Sequence, residues 1–302
     1  MSSEVPKFRL TTHINYIIPK LVAMTANRLS REQSSFFDTF GFLSLPGFMA
    51  DDIGEITDAF EEVWAERGGG HHGQPHDGKN RSCIVPFIDQ HERLCALLDD
   101  PRIEGLLCGL LGDDFNYMGS DGNYYAGDTQ WHSDGYKKTI RHTKIAFYLD
   151  SLTRDTGCLR VIPGSHRLGE GYSEVLEGEV RDSEDRWGVR GEEVPAVAFE
   201  TKPGDILIFQ HNLKHAAFGG GGRRRMFTIN CCQRVGEDQI HLLKEDIAAR
   251  ARFWLDRNYG EKMIATANER RMVHLEQVMA NDSHLAELSA RSREEMLEPS
   301  RG

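Results

Sequence analysis

The stretch "AVAFETKPGDILIFQHN" (residues 196–212) consists of two short apolar runs separated by a turn sequence, "KPGD". β-Branched and aromatic residues bounded by Pro, Gly and Asp are typical of short strands joined by tight turns. Similar runs are "FNYMGS" (115–120), "HTKIAFYLDS" (142–151), "CLRVIPGS" (158–165) and "RMFTINCCQ" (225–233). Many short strands of this kind predict a sandwich or barrel, here over residues 115–232.

Helical patterns flank this β region on its N-terminal side. Ser30 and Gln33 have the spacing of a capping box, and Gly41 marks the end of the helix that they begin. A short apolar strand, "FLSLPGF" (42–48), follows, and a second helix is predicted in "ADDIGEITDAFEEVWAERGGG" (50–70). The predicted fold is therefore mainly β with helical cladding.

The residues after Arg234 again have a helical period. Leu243, Ile247 and Ala251 recur at helical spacing, and after Gly260 the segment "EKMIATANERRMVHLEQVMA" resumes it. This C-terminal extension, residues 235–302, could clad the core, cover a substrate or form the surface of a homodimer. The chain is predicted to be a single domain, residues 1–302.

Composition excludes several classes of partner. The chain has 302 residues, 39% of them hydrophobic, and a net charge of −11. An acidic protein is a poor ligand for nucleic acid or an anionic membrane, and the charge favours a neutral or cationic substrate over a polyanionic one. No apolar run is long enough to span a membrane and no secretory signal is evident. The six cysteines form no C-x-x-C pair, which predicts reduced thiols and a cytoplasmic location.

A charged insertion interrupts the β pattern. The segment "LGEGYSEVLEGEVRDSEDRWGVRGEEV" (168–194) shows no sustained period. Long insertions are often lids over a binding site, and the alternative is a solvated excursion. Trp187 in this segment, together with Trp131 and Tyr136, is a candidate for the wall of a pocket.

The sequence "QWHSDGYKK" (130–138) places His132 two residues before Asp134. Side chains two apart in a strand point to the same face, so this imidazole and carboxylate can share a metal ion. Two histidines and one carboxylate form the facial triad that binds Fe(II) and leaves coordination positions open. The third ligand could be His211 or His215, which have the same strand parity and cannot be separated by alternation. The histidines of "GGGHHGQPHDG" (68–78) lack partners at a regular spacing.

Three consecutive arginines begin the last predicted strand, in "GGGGRRRMFTIN" (219–230). A guanidinium there could bind a carboxylate through two parallel hydrogen bonds. Alternatively, Arg223, Arg224 and Arg225 form a solvated basic turn or, with the glycines, a phosphate cradle. Arg224 shares parity with Thr228, whereas Phe227 faces the opposite side of the strand.

Four motifs in order resemble the phytanoyl-CoA dioxygenase family of Fe(II)/2-oxoglutarate oxygenases. They are "WHSD" (131–134), "DTGCLRVIPGSHR" (155–167), "PGDILIFQHNLKH" (203–215) and "RRRMFTIN" (223–230). The resemblance covers residues 30–232 and implies a double-stranded β-helix, that is, a jelly-roll or cupin-like core. The oxygenase core would then comprise residues 30–234.

The same resemblance implies roles for individual residues. The metal ligands, which are also the catalytic residues, map onto His132, Asp134 and His215, and the 2-oxoglutarate arginine maps onto Arg224. Ala217 stands where the family often has a serine that holds the co-substrate, so Thr228 is expected to substitute for it. Asn123 and Gln130 are candidates for contacts with the other end of 2-oxoglutarate.

The activity implied is oxidation of a small molecule by O2, with Fe(II) as cofactor and 2-oxoglutarate as co-substrate, which leaves as succinate and CO2. The metal and co-substrate supply the chemistry, and the protein positions them and excludes water. The presence of Asp134 favours hydroxylation or a related oxidation over halogenation. The alternative is a metal-binding β-barrel that binds a ligand without oxidising it.

Overall fold

The computed structural model describes residues 28–136 and 138–302, which contain ten strands and ten α-helices. In chain order the strands are β1 (Phe42–Leu45), β2 (Ser82–Ile84), β3 (Asn116–Tyr125), β4 (Thr129–His132), β5 (His142–Tyr148), β6 (Leu159–Val161), β7 (Val197–Phe199), β8 (Ile206–Gln210), β9 (His215–Ala217) and β10 (Arg224–Cys232). The helices are α1 (Arg31–Phe40), α2 (Ile53–Glu66), α3 (Glu92–Cys95), α4 (Pro101–Leu111), α5 (Gly171–Glu179), α6 (Ser183–Trp187), α7 (Ile240–Ala248), α8 (Glu261–Ala265), α9 (Glu269–Met279) and α10 (Leu285–Glu295).

The strands form two sheets in which neighbouring strands are antiparallel. The larger sheet has the order β1-β8-β5-β10-β3-β2, and the smaller has the order β4-β9-β6-β7. The predicted mainly β fold with flanking helices is confirmed. Strands distant in the sequence also pair, as β1 does with β8. A two-stranded hairpin alone is marginally stable, and further strands are needed to bury its apolar face.

The N-terminal elements form as the sequence predicts. The Gln33 amide donates to Ser30 Oγ at 3.2 Å and the Ser30 amide donates to Gln33 Oε1 at 2.8 Å, which is a complete capping box. Gly41 ends α1 in the left-handed conformation, with φ 86°. The chain then enters β1, which lies at the edge of the larger sheet beside β8.

The two faces of β10 have different environments, as strand alternation predicts. Phe227 and Ile229 are fully buried in the main hydrophobic core, where the Phe227 ring stacks on Phe147 of β5 at 4.4 Å. Arg224 and Thr228 point the other way and line a cavity. The larger sheet thus presents an apolar face to the helices and a polar face to the cavity.

The C-terminal extension is part of the same core. Leu243, Met263, Leu275 and Leu285 are buried in the cluster that also contains residues of α2 and α4. In addition, residues of the segment 246–253 line the cavity. The extension therefore clads the sheet and also contributes to the cavity wall.

The insertion is helical, which the sequence analysis did not predict. It contains α5 and α6, and buried apolar residues on it pack against the smaller sheet. Leu176, Val180 and Val194 form a cluster with Trp131 and Phe218. The solvated-excursion interpretation is therefore wrong: helices of nine and five residues are too short to show a sustained period.

None of the helices in the described part of the chain is long and apolar enough to cross a membrane. All six cysteines are free thiols, five of them buried and Cys108 half-buried.

Candidate metal centre and co-substrate pocket

A cavity of about 820 Å³ opens between residues of the two sheets. Its wall includes the inward-facing residues of β3, β5 and β10, together with residues of the smaller sheet and of the segment 246–253. A volume of this size is within the usual range of small-molecule sites. The predicted ligand residues and Arg224 all lie on this wall.

Three predicted ligands meet at one point of the cavity wall. His132 Nε2 lies 3.8 Å from Asp134 Oδ1, and His215 Nε2 lies 3.6 Å from Asp134 Oδ2. One ligand atom from each residue lies within 4.8 Å of the other two, and no other such group of three His, Cys, Asp or Glu residues occurs in residues 28–136 and 138–302. This donor set, two imidazoles and one carboxylate, fits Fe(II).

Strand pairing explains how the chain brings these residues together. His132 ends β4 and His215 begins β9, and the two are direct partners in the antiparallel pair. Asp134 follows in the loop, where its backbone amide donates to the His211 carbonyl at 2.8 Å. The side chains of partners in an antiparallel pair project to the same face, so both imidazoles point into the cavity.

The two imidazoles are oriented in the same way. The Nδ1 of His132 is 2.8 Å from the Gln130 carbonyl oxygen, and the Nδ1 of His215 is 2.9 Å from that of Leu213. A carbonyl only accepts, so each Nδ1 carries the proton and each Nε2 presents a lone pair. Burial lowers the pKa of His215 to about 4, which keeps it in the neutral form that a metal requires.

Asp134 is ionised although only 19% of its side chain is exposed. Burial alone would raise the pKa of this carboxyl, but Lys144 and the surrounding histidines hold it well below its usual range. Lys144 Nζ lies 2.8 Å from Asp134 Oδ2. Asp134 is therefore available as an anionic ligand at neutral pH.

His211 lies beside this group but outside it. Its Nε2 is buried and has no hydrogen-bond partner within the described structure, and burial lowers the pKa of the ring to about 3. The ring centroid is 5.4 Å from that of His142. Strand alternation could not separate His211 from His215, because β8 ends at Gln210 and the chain turns before β9 begins.

Arg224 is buried in the cavity wall, whereas its neighbours are not. Its Nη1 donates to the Gly157 carbonyl at 2.6 Å and its Nη2 to the Gly127 carbonyl at 2.5 Å. Gly157 permits this approach, since a Cβ there would lie 2.3 Å from Nη1. Arg223 and Arg225 instead form ion pairs with Glu61 on the other side of the strand.

The guanidinium of Arg224 retains a free donor. Its Nε is buried without a hydrogen-bond partner in the described residues, and the group lies 5.5 Å from the centroid of the Tyr125 ring. A buried donor without a partner is costly, so such groups commonly await a ligand or water. The arrangement suits an anion that enters the cavity.

Thr228 and Asn123 have partners that the sequence analysis did not anticipate. The Thr228 hydroxyl donates to Asp121, and the Asn123 amide donates to Asp121 Oδ2 at 2.6 Å. Arg81 Nε donates to Asn123 Oδ1 at 2.8 Å, and Asn123 is not on the cavity wall. A contact between Asn123 and a co-substrate would require these bonds to break, and the structure does not favour it.

Asp121 and Lys144 also line the cavity, and neither was among the residues predicted from the sequence. Asp121 has the parity of Asn123 in β3, and Lys144 has the parity of the inward-facing residues of β5. Two charged residues at inward positions of β3 and β5, the two strands that flank β10, were the available signal. Of the aromatic candidates, Trp131 lines the cavity and donates to the Gly191 carbonyl at 2.9 Å, whereas Tyr136 and Trp187 are exposed and lie elsewhere.

The fold and the His-Asp-His group define the class of non-haem iron, 2-oxoglutarate-dependent oxygenases, and comparison with known proteins agrees. The model of the family "Phytanoyl-CoA dioxygenase (PhyH)" matches residues 37–226, so the chain belongs to the phytanoyl-CoA dioxygenase family. The ectoine dioxygenase of Sphingopyxis alaskensis is 28% identical over 221 residues, 63% of this chain and 71% of that protein. The predicted family and enzyme class are confirmed.

Solved structures show the same fold. The non-haem α-ketoglutarate-dependent carbocyclase SnoK from nogalamycin biosynthesis has a TM-score of 0.55 at 22% identity, over 72% of this chain and 92% of that chain. EctD from S. alaskensis, solved with 2-oxoglutarate and 5-hydroxyectoine, has a TM-score of 0.52 at 23% identity, over 72% of this chain and 81% of that one. These two relatives carry out different reactions, so the fold does not identify the substrate.

Proposed function

We propose that the protein uses Fe(II) held by His132, Asp134 and His215 to oxidise a small molecule with O2 and 2-oxoglutarate, releasing succinate and CO2. The observation that carries this proposal is the convergence of three ligand atoms within 4.8 Å on the wall of a cavity that also contains the buried Arg224. Membership of the family supports the same chemistry. Hydroxylation is favoured over halogenation because the carboxylate ligand is present.

O2 would be the oxidant of the reaction, and bound Fe(II) and 2-oxoglutarate would serve to activate it, with 2-oxoglutarate oxidised to succinate and CO2. The protein's own part is to hold the metal and the co-substrate and to orient them. His132 and His215 present their Nε2 atoms because their Nδ1 atoms are fixed by backbone carbonyls. The apolar cluster under the insertion closes one side of the smaller sheet and limits the access of water to the site.

Arg224 is the proposed anchor for the distal carboxylate of 2-oxoglutarate. It is the buried member of the three arginines, and its Nε lacks a partner among the described residues. A guanidinium binds a carboxylate through two parallel bonds, which fixes position and charge together. Thr228 remains a proposed contact in place of the serine that Ala217 replaces, although its hydroxyl already donates to Asp121.

The substrate is proposed to bind between the metal centre and the C-terminal extension. Arg252 and Phe253 of this extension line the cavity, and so does Arg181 of the insertion. Neither Arg181 nor Arg252 has an ion pair within residues 28–136 and 138–302. The net negative charge of the chain favoured a neutral or cationic substrate, whereas these arginines suit one with an acidic group.

At the level of architecture, we propose that the two sheets form a double-stranded β-helix, with 30–234 as the oxygenase core and 235–302 as an extension of the same domain. Shared burial of residues from both parts supports a single domain. A homodimer would have to use the outer faces of the C-terminal helices, because their apolar faces pack on the core. A cytoplasmic location is supported by the six free thiols.

The test is succinate formation from 2-oxoglutarate in the presence of Fe(II) and O2, measured across a panel of metabolites. Substrate-stimulated succinate formation in step with O2 consumption is expected. A protein that binds Fe(II) and panel compounds but never forms succinate would instead be a ligand-binding barrel.

A further inference from the structure

Lys144 occupies an unusual place for a lysine. It lies in the middle of β5, within the apolar run "HTKIAFYLD", and its side chain points into the cavity with 16% of its surface exposed. Burying an ammonium group costs several kcal/mol in principle unless a charge partner compensates for it. Its presence at an inward-facing position therefore requires a local reason.

The reason is the carboxylate of Asp134. Lys144 Nζ lies 2.8 Å from Asp134 Oδ2, and the charge of Asp121 also acts on the ammonium group. Asp121 has further partners, since Arg81, Asn123 and Thr228 all contact it. For the side chain of Asp134, the ion pair with Lys144 is the shortest contact in the described structure.

The ion pair makes the two oxygens of Asp134 unequal. Oδ2 is held by the ammonium and also lies 3.6 Å from His215 Nε2, whereas Oδ1 has no lysine or arginine partner in the described residues and lies 3.8 Å from His132 Nε2. A carboxylate can bind a metal through one oxygen or through both. A facial triad requires one oxygen only, because the remaining positions must accept the co-substrate and O2.

We propose that Lys144 is a positioning residue of the metal centre: it holds Asp134 Oδ2, leaving Oδ1 as the single ligand oxygen, and it keeps a positive charge beside the site. This inference rests on the proposed function. A fixed ammonium opposes the binding of a divalent cation and favours the binding of the 2-oxoglutarate dianion. Lys144 therefore has opposite effects on the two ligands.

The experiment compares Lys144→Met, Lys144→Arg and a matched control, Lys214→Met. Lys214 is a buried lysine next to the ligand His215, but its ammonium pairs with Glu177 of the insertion. Fe(II) affinity is measured anaerobically by calorimetry, and 2-oxoglutarate affinity is then measured on the Fe(II)-loaded proteins by their visible charge-transfer band. Circular dichroism verifies that each variant is folded.

We expect Lys144→Met to bind Fe(II) about tenfold more tightly and 2-oxoglutarate at least about tenfold more weakly, with Lys144→Arg restoring both affinities toward wild type. Lys214→Met should leave both unchanged. Affinities in Lys144→Met that are unchanged, or that weaken together for both ligands, would overturn the inference. Wild-type protein that gives no band with Fe(II) and 2-oxoglutarate would instead count against the proposed function itself.

Discussion

At the scale of single residues, Arg224 differs from its neighbours in the direction of its side chain. It is buried in the cavity wall, while Arg223 and Arg225 pair with acidic residues outside it. Arg224→Ala would leave a bound carboxylate without its partner, which costs roughly 2–5 kcal/mol for a buried charge pair. We therefore expect the apparent affinity for 2-oxoglutarate to fall by about 30-fold to several thousand-fold.

The controls for this prediction are the adjacent arginines. Arg223→Ala should change 2-oxoglutarate affinity far less, and Arg224→Lys should be intermediate because it keeps the charge but loses the paired donors. Affinity is measured for each variant at fixed Fe(II). A large loss in Arg225→Ala together with a small loss in Arg224→Ala would contradict the assignment.

The buried histidines make stability depend on pH. Burial lowers the pKa of His215 to about 4 and that of His211 to about 3, whereas an unfolded histidine has a pKa near 6.5. Between these values the unfolded chain binds more protons than the folded one, so stability rises with pH and is lost as pH falls. From pH 7 to pH 5 each histidine should remove about 2 kcal/mol from the free energy of unfolding.

This prediction is tested by urea unfolding of the metal-free protein in EDTA at both pH values. His211→Gln should remove about half of the difference, since the substituted side chain does not titrate. Equal or greater stability at pH 5 would show that these rings are protonated in the folded protein.

Strand alternation predicted the direction of side chains within one strand and gave no answer across a turn. Arg224 was separated from Arg225 by parity within one strand. His215 could not be separated from His211 by parity, because a turn lies between them, and only the resemblance favoured His215. Thr228 contacts Asp121 of β3, whose proximity to β10 is a property of the sheet register, and Asn123 contacts the same carboxylate from two residues along β3.

At the scale of secondary-structure elements, the insertion packs on the smaller sheet and also reaches the cavity wall. Its helices pack through Leu176 and Val180, and Arg181 reaches the cavity wall. Segments that close over ligands are held by fewer contacts than the core and open more readily. We predict that residues 169–193 become ordered over the substrate.

Limited trypsin digestion tests this prediction, because the insertion contains Arg181, Arg186 and Arg190. The protein is first loaded with Fe(II) and 2-oxoglutarate under anaerobic conditions. Addition of a substrate, identified beforehand by succinate formation, should then slow cleavage in this segment. Equal cleavage rates with and without substrate would show that the insertion is a fixed wall.

The segment 246–253 provides a second test at this scale. Arg252 and Phe253 line the cavity from the C-terminal extension, the proposed substrate side, whereas Arg224, the proposed anchor of 2-oxoglutarate, lies on β10. Arg252→Ala should therefore raise the KM for the substrate, with little change in 2-oxoglutarate affinity. If the variant instead loses 2-oxoglutarate affinity and keeps the substrate KM, 2-oxoglutarate rather than the substrate binds on the side of Arg252.

At the scale of the whole molecule, the β core was predictable because each long strand has one apolar and one polar face. β10 shows this most clearly, with Phe227 and Ile229 toward the helices and Arg224 and Thr228 toward the cavity. The pairing of β1 with β8 was not predictable from local pattern, since their residues are more than 150 positions apart and the register depends on packing. The helices of the insertion were not predictable from local sequence either. Helices this short are marginally stable alone, and tertiary contacts supply their stability.

The central claim is that His132, Asp134 and His215, rather than His211, form an Fe(II) site that also binds 2-oxoglutarate. The most direct measurement is the visible spectrum of the protein after anaerobic addition of Fe(II) and 2-oxoglutarate. We expect a weak charge-transfer band in wild type and in His211→Gln, and no band in His132→Ala, Asp134→Ala or His215→Ala. A band that persists in His215→Ala and disappears in His211→Gln would contradict the account.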